Sequence, residues 1–138
     1  MTVDDIDTFD NVRAVPHGLD YVKISETAFK NGVATILGER TSFKDWGGEL
    51  RDLSSTHLRI DGKRHPVAIA FKGPGKSGRL TPGKMGKNGD QIQRLVKCPA
   101  EVFLIQYWQD IDDSVFEQLE NLVRLKAFFE NRELGMAS

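Results

Sequence analysis

Residues 49–72 constrain the fold more than any other stretch of this chain. They start at the acids Glu49 and Asp52, pass through an alternating segment to the turn Ile60-Asp61-Gly62-Lys63, and return through Pro66-Val67-Ala68-Ile69-Ala70-Phe71 to Lys72. Asp-Gly between two such runs signals a two-residue hairpin turn, because those positions take up a positive φ. Folded about Gly62, the segment sets Asp52 opposite Lys72 at the open end of the hairpin. A carboxylate that can hold a divalent metal, beside an ammonium that can orient or deprotonate a water, is minimal equipment for metal-assisted phosphodiester hydrolysis.

The 138 residues, 39% of them apolar, make one domain with room for a real core. The expected division is a leader or irregular N-terminal segment over 1–20, punctuated by Pro16 and Gly18, and a single domain over 21–138. Lys and Arg number 19 against 20 acids, so overall charge points to no polyanionic partner. Its distribution says more. The first ten residues carry Asp4, Asp5, Asp7 and Asp10, whereas residues 72–89 hold five Lys or Arg and no acid, and a locally basic segment can meet a polyanion at near-zero net charge. Cys98 is the only cysteine, which excludes an internal disulfide and a cysteine-built zinc site and agrees with a reducing, cytoplasmic setting. No run reads as a signal peptide or a membrane span, so no membrane partner is expected.

Periodicity predicts a helix over 25–38, with Ala28, Phe29, Gly32, Val33, Ile36 and Leu37 on one face and Lys30 and Asn31 off it. A weak strand over 40–45 and a Trp46-Gly47-Gly48 bend precede the hairpin, whose strands fall near 50–60 and 65–72. Residues 73–89, with six glycines and two prolines, form a long loop of the kind that usually carries function in a small domain. Asp90 caps a helix over 90–97 with Ile92, Leu95 and Val96 inward. Val102-Phe103-Leu104-Ile105 reads as a strand buried on both faces, parallel to the lysine-bearing one. The last helix, over 112–130, carries Phe116, Leu119, Leu122, Val123 and Ala127 on its stripe and leaves Leu125, Phe128 and Phe129 outside it. The fold class is α/β, a mixed central sheet with a β-hairpin and flanking helices.

With Asp52 on one hairpin strand, Lys72 on the next and a helix bearing Gln91 and Gln93 after them, residues 25–125 resemble the PD-(D/E)XK, or restriction-endonuclease-like, nuclease superfamily. The motif is short and moderately specific. The resemblance implies a restriction-endonuclease-like core and a metal-dependent nuclease acting on DNA or RNA, with Mg²⁺ or Mn²⁺ as cofactor. Asp52 matches the metal-binding acid, Lys72 the motif lysine, and Gln91 or Gln93 the glutamine of the following helix. The second acid, due two residues before the lysine, is replaced by Ala70. Glu49 is the preferred substitute metal ligand, with Glu26 and Glu39 next. Lys76, Arg79, Lys84, Lys87, Gln93 and Arg94 would contact nucleic acid. The Gly47-Gly48-Glu49, Asp52 and Ala70-Phe71-Lys72-Gly73 pattern also resembles nuclease-like proteins of phage defence.

Plainer readings stand beside these. Asp52 and Lys72 also fit a cross-strand surface ion pair, Gln91 and Gln93 ordinary helix surface, and Asp61 turn chemistry alone. His57 and His65 fall nearly opposite each other across the turn, as a strand-face pair. Gly75-Lys76-Ser77 lacks both the upstream glycine, again Ala70, and the following helix of a phosphate loop. The loss at Ala70 favours a catalytically silent relative that binds nucleic acid or a partner protein. A third reading makes Leu125, Phe128 and Phe129 the working surface of a homodimer or larger complex formed through the C-terminal helix.

Overall fold

The computed structural model describes residues 6–12, 25–39, 53–72, 78–86 and 90–137. The first helix, α1, spans Glu26–Ile36 and is capped by Ser25, whose Oγ accepts the Ala28 N–H at 3.1 Å. Strands β1 (Leu53–Ile60) and β2 (Lys63–Lys72) form the expected hairpin, with Asp61 at φ 50° and Gly62 at φ 76° making its tip. Then come α2 (Asp90–Val96), β3 (Val102–Tyr107), α3 (Asp113–Glu130) and a short β4 (Gly135–Ala137). The sheet order is β1-β2-β3-β4; β1 runs antiparallel to β2, while β2, β3 and β4 are mutually parallel. This is an α/β fold with a four-stranded mixed sheet, and β3 is parallel to the lysine-bearing strand as the crossover helix between them implied.

Both faces of the sheet are covered, which explains why β2 and β3 read as continuous apolar runs. On one face Ala68, Ala70, Phe103 and Ile105 pack with Ile92, Leu95 and Val96 of α2 and Val115, Leu119 and Val123 of α3. On the other, Val67, Ile69, Phe71, Val102 and Leu104 pack with Val33 and Leu37 of α1 and with Ile6. Burying a side chain such as Phe103 completely contributes about 2–3 kcal/mol. Lys126 on α3 donates to the carbonyls of Val96 and Cys98 at 2.7 and 2.6 Å and stands 5.0 Å above the Phe103 ring. One cation thus satisfies the end of α2 and fastens α3 to it.

Several expectations are corrected. The inward face of α1 is Lys30, Val33, Ala34 and Leu37, while Ala28, Gly32 and Ile36 face out; the stripe is rotated because Lys30, taken for a surface residue, is buried. Of the irregular N-terminal segment, residues 6–12 form a cover, one of the two readings its sequence left open: Ile6 is fully buried, the Asp7 Oδ2 accepts the Gly62 N–H, and the Thr8 Oγ1 accepts the Arg59 N–H, both at 2.7 Å. That segment caps the hairpin tip and the edge strand, where unpaired backbone would otherwise be open. Strand β4 went unexpected, since three residues with a glycine carry no strand signal. The strand over 40–45 and the Trp46-Gly47-Gly48 bend lie outside the described residues.

Candidate nucleic-acid interface

The hairpin register decides what Lys72 can meet. Folding about Gly62 would set Leu53 across from Phe71, but Leu53 pairs with Ile69. The two-residue turn centres the hairpin between Asp61 and Gly62, so Ile60 pairs with Lys63, and a bulge between Ser55 and Leu58 shifts the register once more. Over the described pairs the fold about Gly62 is therefore not the one adopted. Lys72 lies three residues beyond the last described β1–β2 pair, and its described strand partner is Tyr107 on β3. Asp52 and Glu49 themselves, with Lys76 and Lys87, lie outside the described residues.

The register set at the turn also separates the two histidines. His65 pairs with Leu58 rather than facing His57. The His65 Nδ1 meets the Glu101 carboxylate at 2.8 Å, whereas the His57 Nδ1 lies 3.2 Å from the Leu37 carbonyl and 3.4 Å from Glu39. Glu39 also accepts the Ser55 hydroxyl at 2.6 Å. Because Ser55 pairs with Val67, five residues before Lys72, Glu39 sits about 16 Å back along the strand and on the α1 face. That removes Glu39 as a substitute ligand beside Lys72. Glu26 opens α1 and is exposed. Ala70, where the second acid was due, pairs with Ile105 inside the core. Among the described residues no group of three or more His, Cys, Asp or Glu could hold a metal ion; the expected ligands Asp52 and Glu49 lie outside them.

What does converge lies at the carboxyl ends of β2 and β3, where parallel α/β sheets present their ligand crevices. Gly78 is the hub. The Tyr107 hydroxyl donates to its carbonyl at 2.7 Å, its own N–H donates to the Gln109 Oε1 at 2.7 Å, and the Lys84 Nζ donates to the neighbouring Arg79 carbonyl at 2.9 Å. Arg79 reaches Asp112, N-cap of α3, at 3.3 Å. Lys72 shares the strand level and the sheet face of Tyr107. Three cations, Lys72, Arg79 and Lys84, thus gather at one end of the sheet around a glycine with no side chain of its own.

The described residues 78–86 of the segment after β2 are tied down more than the glycine-rich composition predicts. Leu80 bridges to Ile111, its N–H donating to the Asp110 carbonyl and its carbonyl accepting the Asp112 N–H. Pro82–Lys84 form a turn of 3-10 helix, and Leu80 and Met85 are fully buried. Two buried apolar anchors therefore hold the basic residues against the β3–α3 connection. At Asp112, hydrogen bonds from the Ser114 hydroxyl and N–H, with Arg79 adjacent, hold the carboxyl below its usual range, outweighing the opposite effect of burial. Of the remaining expected contacts, Gln93 is exposed on α2, Gln91 is half-buried with its N–H on the Met85 carbonyl, and Arg94 pairs with Asp90 one turn away at 3.3 Å. Tyr107, Gln109 and Asp112 were not singled out from sequence, although a strand parallel to β2 already implied a crevice at its carboxyl end.

No family model, no curated protein and no solved structure matches this chain. Among the described residues, no helix is long and apolar enough to cross a membrane. The fold and the site together define an α/β domain in which Lys72, Arg79 and Lys84 stand beside the acids Asp110 and Asp112 at the carboxyl ends of β2 and β3.

Proposed function

We propose that this protein binds the phosphodiester backbone of DNA or RNA at the carboxyl ends of β2 and β3, as a nuclease-like domain of restriction-endonuclease type. The observation that carries the reading is the gathering of Lys72, Arg79 and Lys84 around Gly78, on a segment anchored by Leu80 and Met85. A backbone approaching a glycine meets no side-chain obstruction, and fixed cations there would meet successive phosphates without reading bases. Fluorescence anisotropy with labelled DNA and RNA across a salt series tests it. Replacing Arg79 and Lys84 with Gln should weaken binding to every sequence similarly and flatten the salt slope by about two. An absence of salt-dependent affinity in the wild type would overturn the reading.

Metal-dependent cleavage is the second reading, favoured by the position of Lys72 where the last apolar residues of β2 give way to the basic segment. Here Lys72 would orient the attacking water and offset charge in the transition state, and Asp52 and Glu49 would be the acids to hold Mg²⁺ or Mn²⁺. Lys72→Ala should then abolish cleavage while leaving binding nearly intact, because one lysine adds little to a grip on several phosphates. Cleavage that survives both Lys72→Ala and Asp52→Asn would remove these residues from the mechanism. A role in antiviral defence would follow from cleavage of invading nucleic acid.

A further inference from the structure

The outer strand of the hairpin is uncovered on the sheet face that α2 and α3 pack. Ala68 of β2 is fully buried there, whereas its β1 neighbour Ser54 and, nearer the turn, Arg59 are exposed. Arg64 is exposed as well and is the cross-strand partner of Arg59. The Arg59 N–H turns outward to the Thr8 Oγ1, so the two arginines form a non-hydrogen-bonded pair. Side chains come closest at such pairs, with Cα atoms about 4.5 Å apart. Like charges directly opposite each other cost stability, and among the described residues no acid is paired with either arginine. We infer that Arg59 and Arg64 clamp one phosphate of the same nucleic-acid backbone that Lys72, Arg79 and Lys84 meet, so that the backbone runs along the hairpin from one end to the other.

Charge and geometry select this occupant. Over residues 54–64 the cations Arg59, Lys63 and Arg64 stand against one acid, Asp61. Nearby acids are already engaged, Asp7 by the Gly62 N–H and Glu101 by His65 and Arg132. Two planar guanidinium forks can donate together to the oxygens of one phosphate, which turns their mutual repulsion into a shared attraction. Arg64 and Lys72 share one face of β2 and lie about 26 Å apart along it. That separation equals nearly eight phosphate steps of a duplex strand, at about 3.4 Å each. The inference rests on the proposed function and adds to it a length: only a nucleic acid that reaches across both ends gains the second contact.

Fluorescence anisotropy of the whole chain with labelled DNA hairpins of about 16 and about 5 base pairs tests this, since only the longer stem spans that distance. The double variant Arg59→Gln, Arg64→Gln should bind the longer hairpin about tenfold more weakly near 0.1 M salt and with a salt slope flatter by about one. Its affinity for the shorter hairpin should match wild type. Its urea midpoint should equal or exceed wild type's, because the repulsion across the pair is gone, so lost binding would not come from lost folding. Unchanged affinity for the longer hairpin, or equal losses on both, would overturn the inference and leave the proposed function standing. A wild type without salt-dependent affinity for either hairpin would overturn both.

Discussion

The hydroxyl of Tyr107 donates to the carbonyl of Gly78 at 2.7 Å, joining the last residue of β3 to the segment that follows β2. Since Tyr107 also pairs with Lys72, a single side chain aligns the end of the lysine-bearing strand with the loop that brings Arg79 and Lys84. The ring is almost wholly buried and stacks edge to face on Trp108 at 6.3 Å, so the hydroxyl is aimed by packing rather than by the loop.

Tyr107→Phe keeps the ring and removes only that donor. It should cost about 1 kcal/mol, seen as a lower urea midpoint with an unchanged slope. If the loop presents the cations, affinity for nucleic acid should fall as well, although no charge has been removed. A variant that loses stability but binds as tightly as wild type would separate the loop's order from its role in binding.

Gly86 offers a test of the other end of this segment. Its φ is 83°, and a Cβ there would come within 1.9 Å of the Asp90 Oδ1 and 3.1 Å of the Asp90 Cγ and Gln91 Cγ. Gly86→Ala must both hold a left-handed backbone and push aside the first turn of α2, which should cost about 1–3 kcal/mol. The check is a denaturant titration against Gly83→Ala. At Gly83 the nearest atom is the Thr81 hydroxyl at 4.0 Å and the backbone φ is ordinary, so that change should be close to neutral.

How far the sequence discloses this molecule follows from where its information is local. Asp61-Gly62 fixes the turn, periodicity announces α1, and uninterrupted apolar runs announce β2 and β3 as inner strands. These are properties of neighbouring residues. The register is different: a bulge between Ser55 and Leu58 adds one step that no residue type there advertises, and it shifts the pairs from Ser55 to Leu53. Lys30 misled the helical stripe because a long side chain can be buried along its aliphatic stem. The basic residues of the segment after β2 were legible, whereas its attachment through Tyr107, Gln109 and Ile111 depends on residues some thirty positions away.

Lys126 probes the seam between α2 and α3. Replacing it with Met keeps most of the aliphatic length over Phe103 but leaves the Val96 and Cys98 carbonyls without this donor. The expected loss is about 1–3 kcal/mol, the cost of buried acceptors left unpaired. Lys126→Arg should recover part of it. Thermal denaturation of the three proteins side by side gives the ranking, and a Met variant as stable as wild type would show that water replaces the ammonium without penalty.

The start of α3 gives stability a dependence on acid. Asp112 accepts the Ser114 N–H at 3.1 Å and the Ser114 hydroxyl and faces Arg79, and these contacts lower its carboxyl pKa in the folded chain. Near the ordinary carboxylate value of about 3.9 the unfolded chain then binds more protons than the folded one, so stability rises with pH there. The contribution is present above that value and is lost as pH falls through the lower folded value. Asp112→Ala should therefore melt a few degrees below wild type at neutral pH, and the gap should narrow as pH falls below about 4. Asp112→Asn keeps an acceptor for the Ser114 N–H but not the charge facing Arg79, so it should lie between the two at neutral pH and respond less to acid. Equal gaps between Asp112→Ala and wild type at pH 7 and at about pH 2 would show that geometry alone, not ionisation, makes this cap effective.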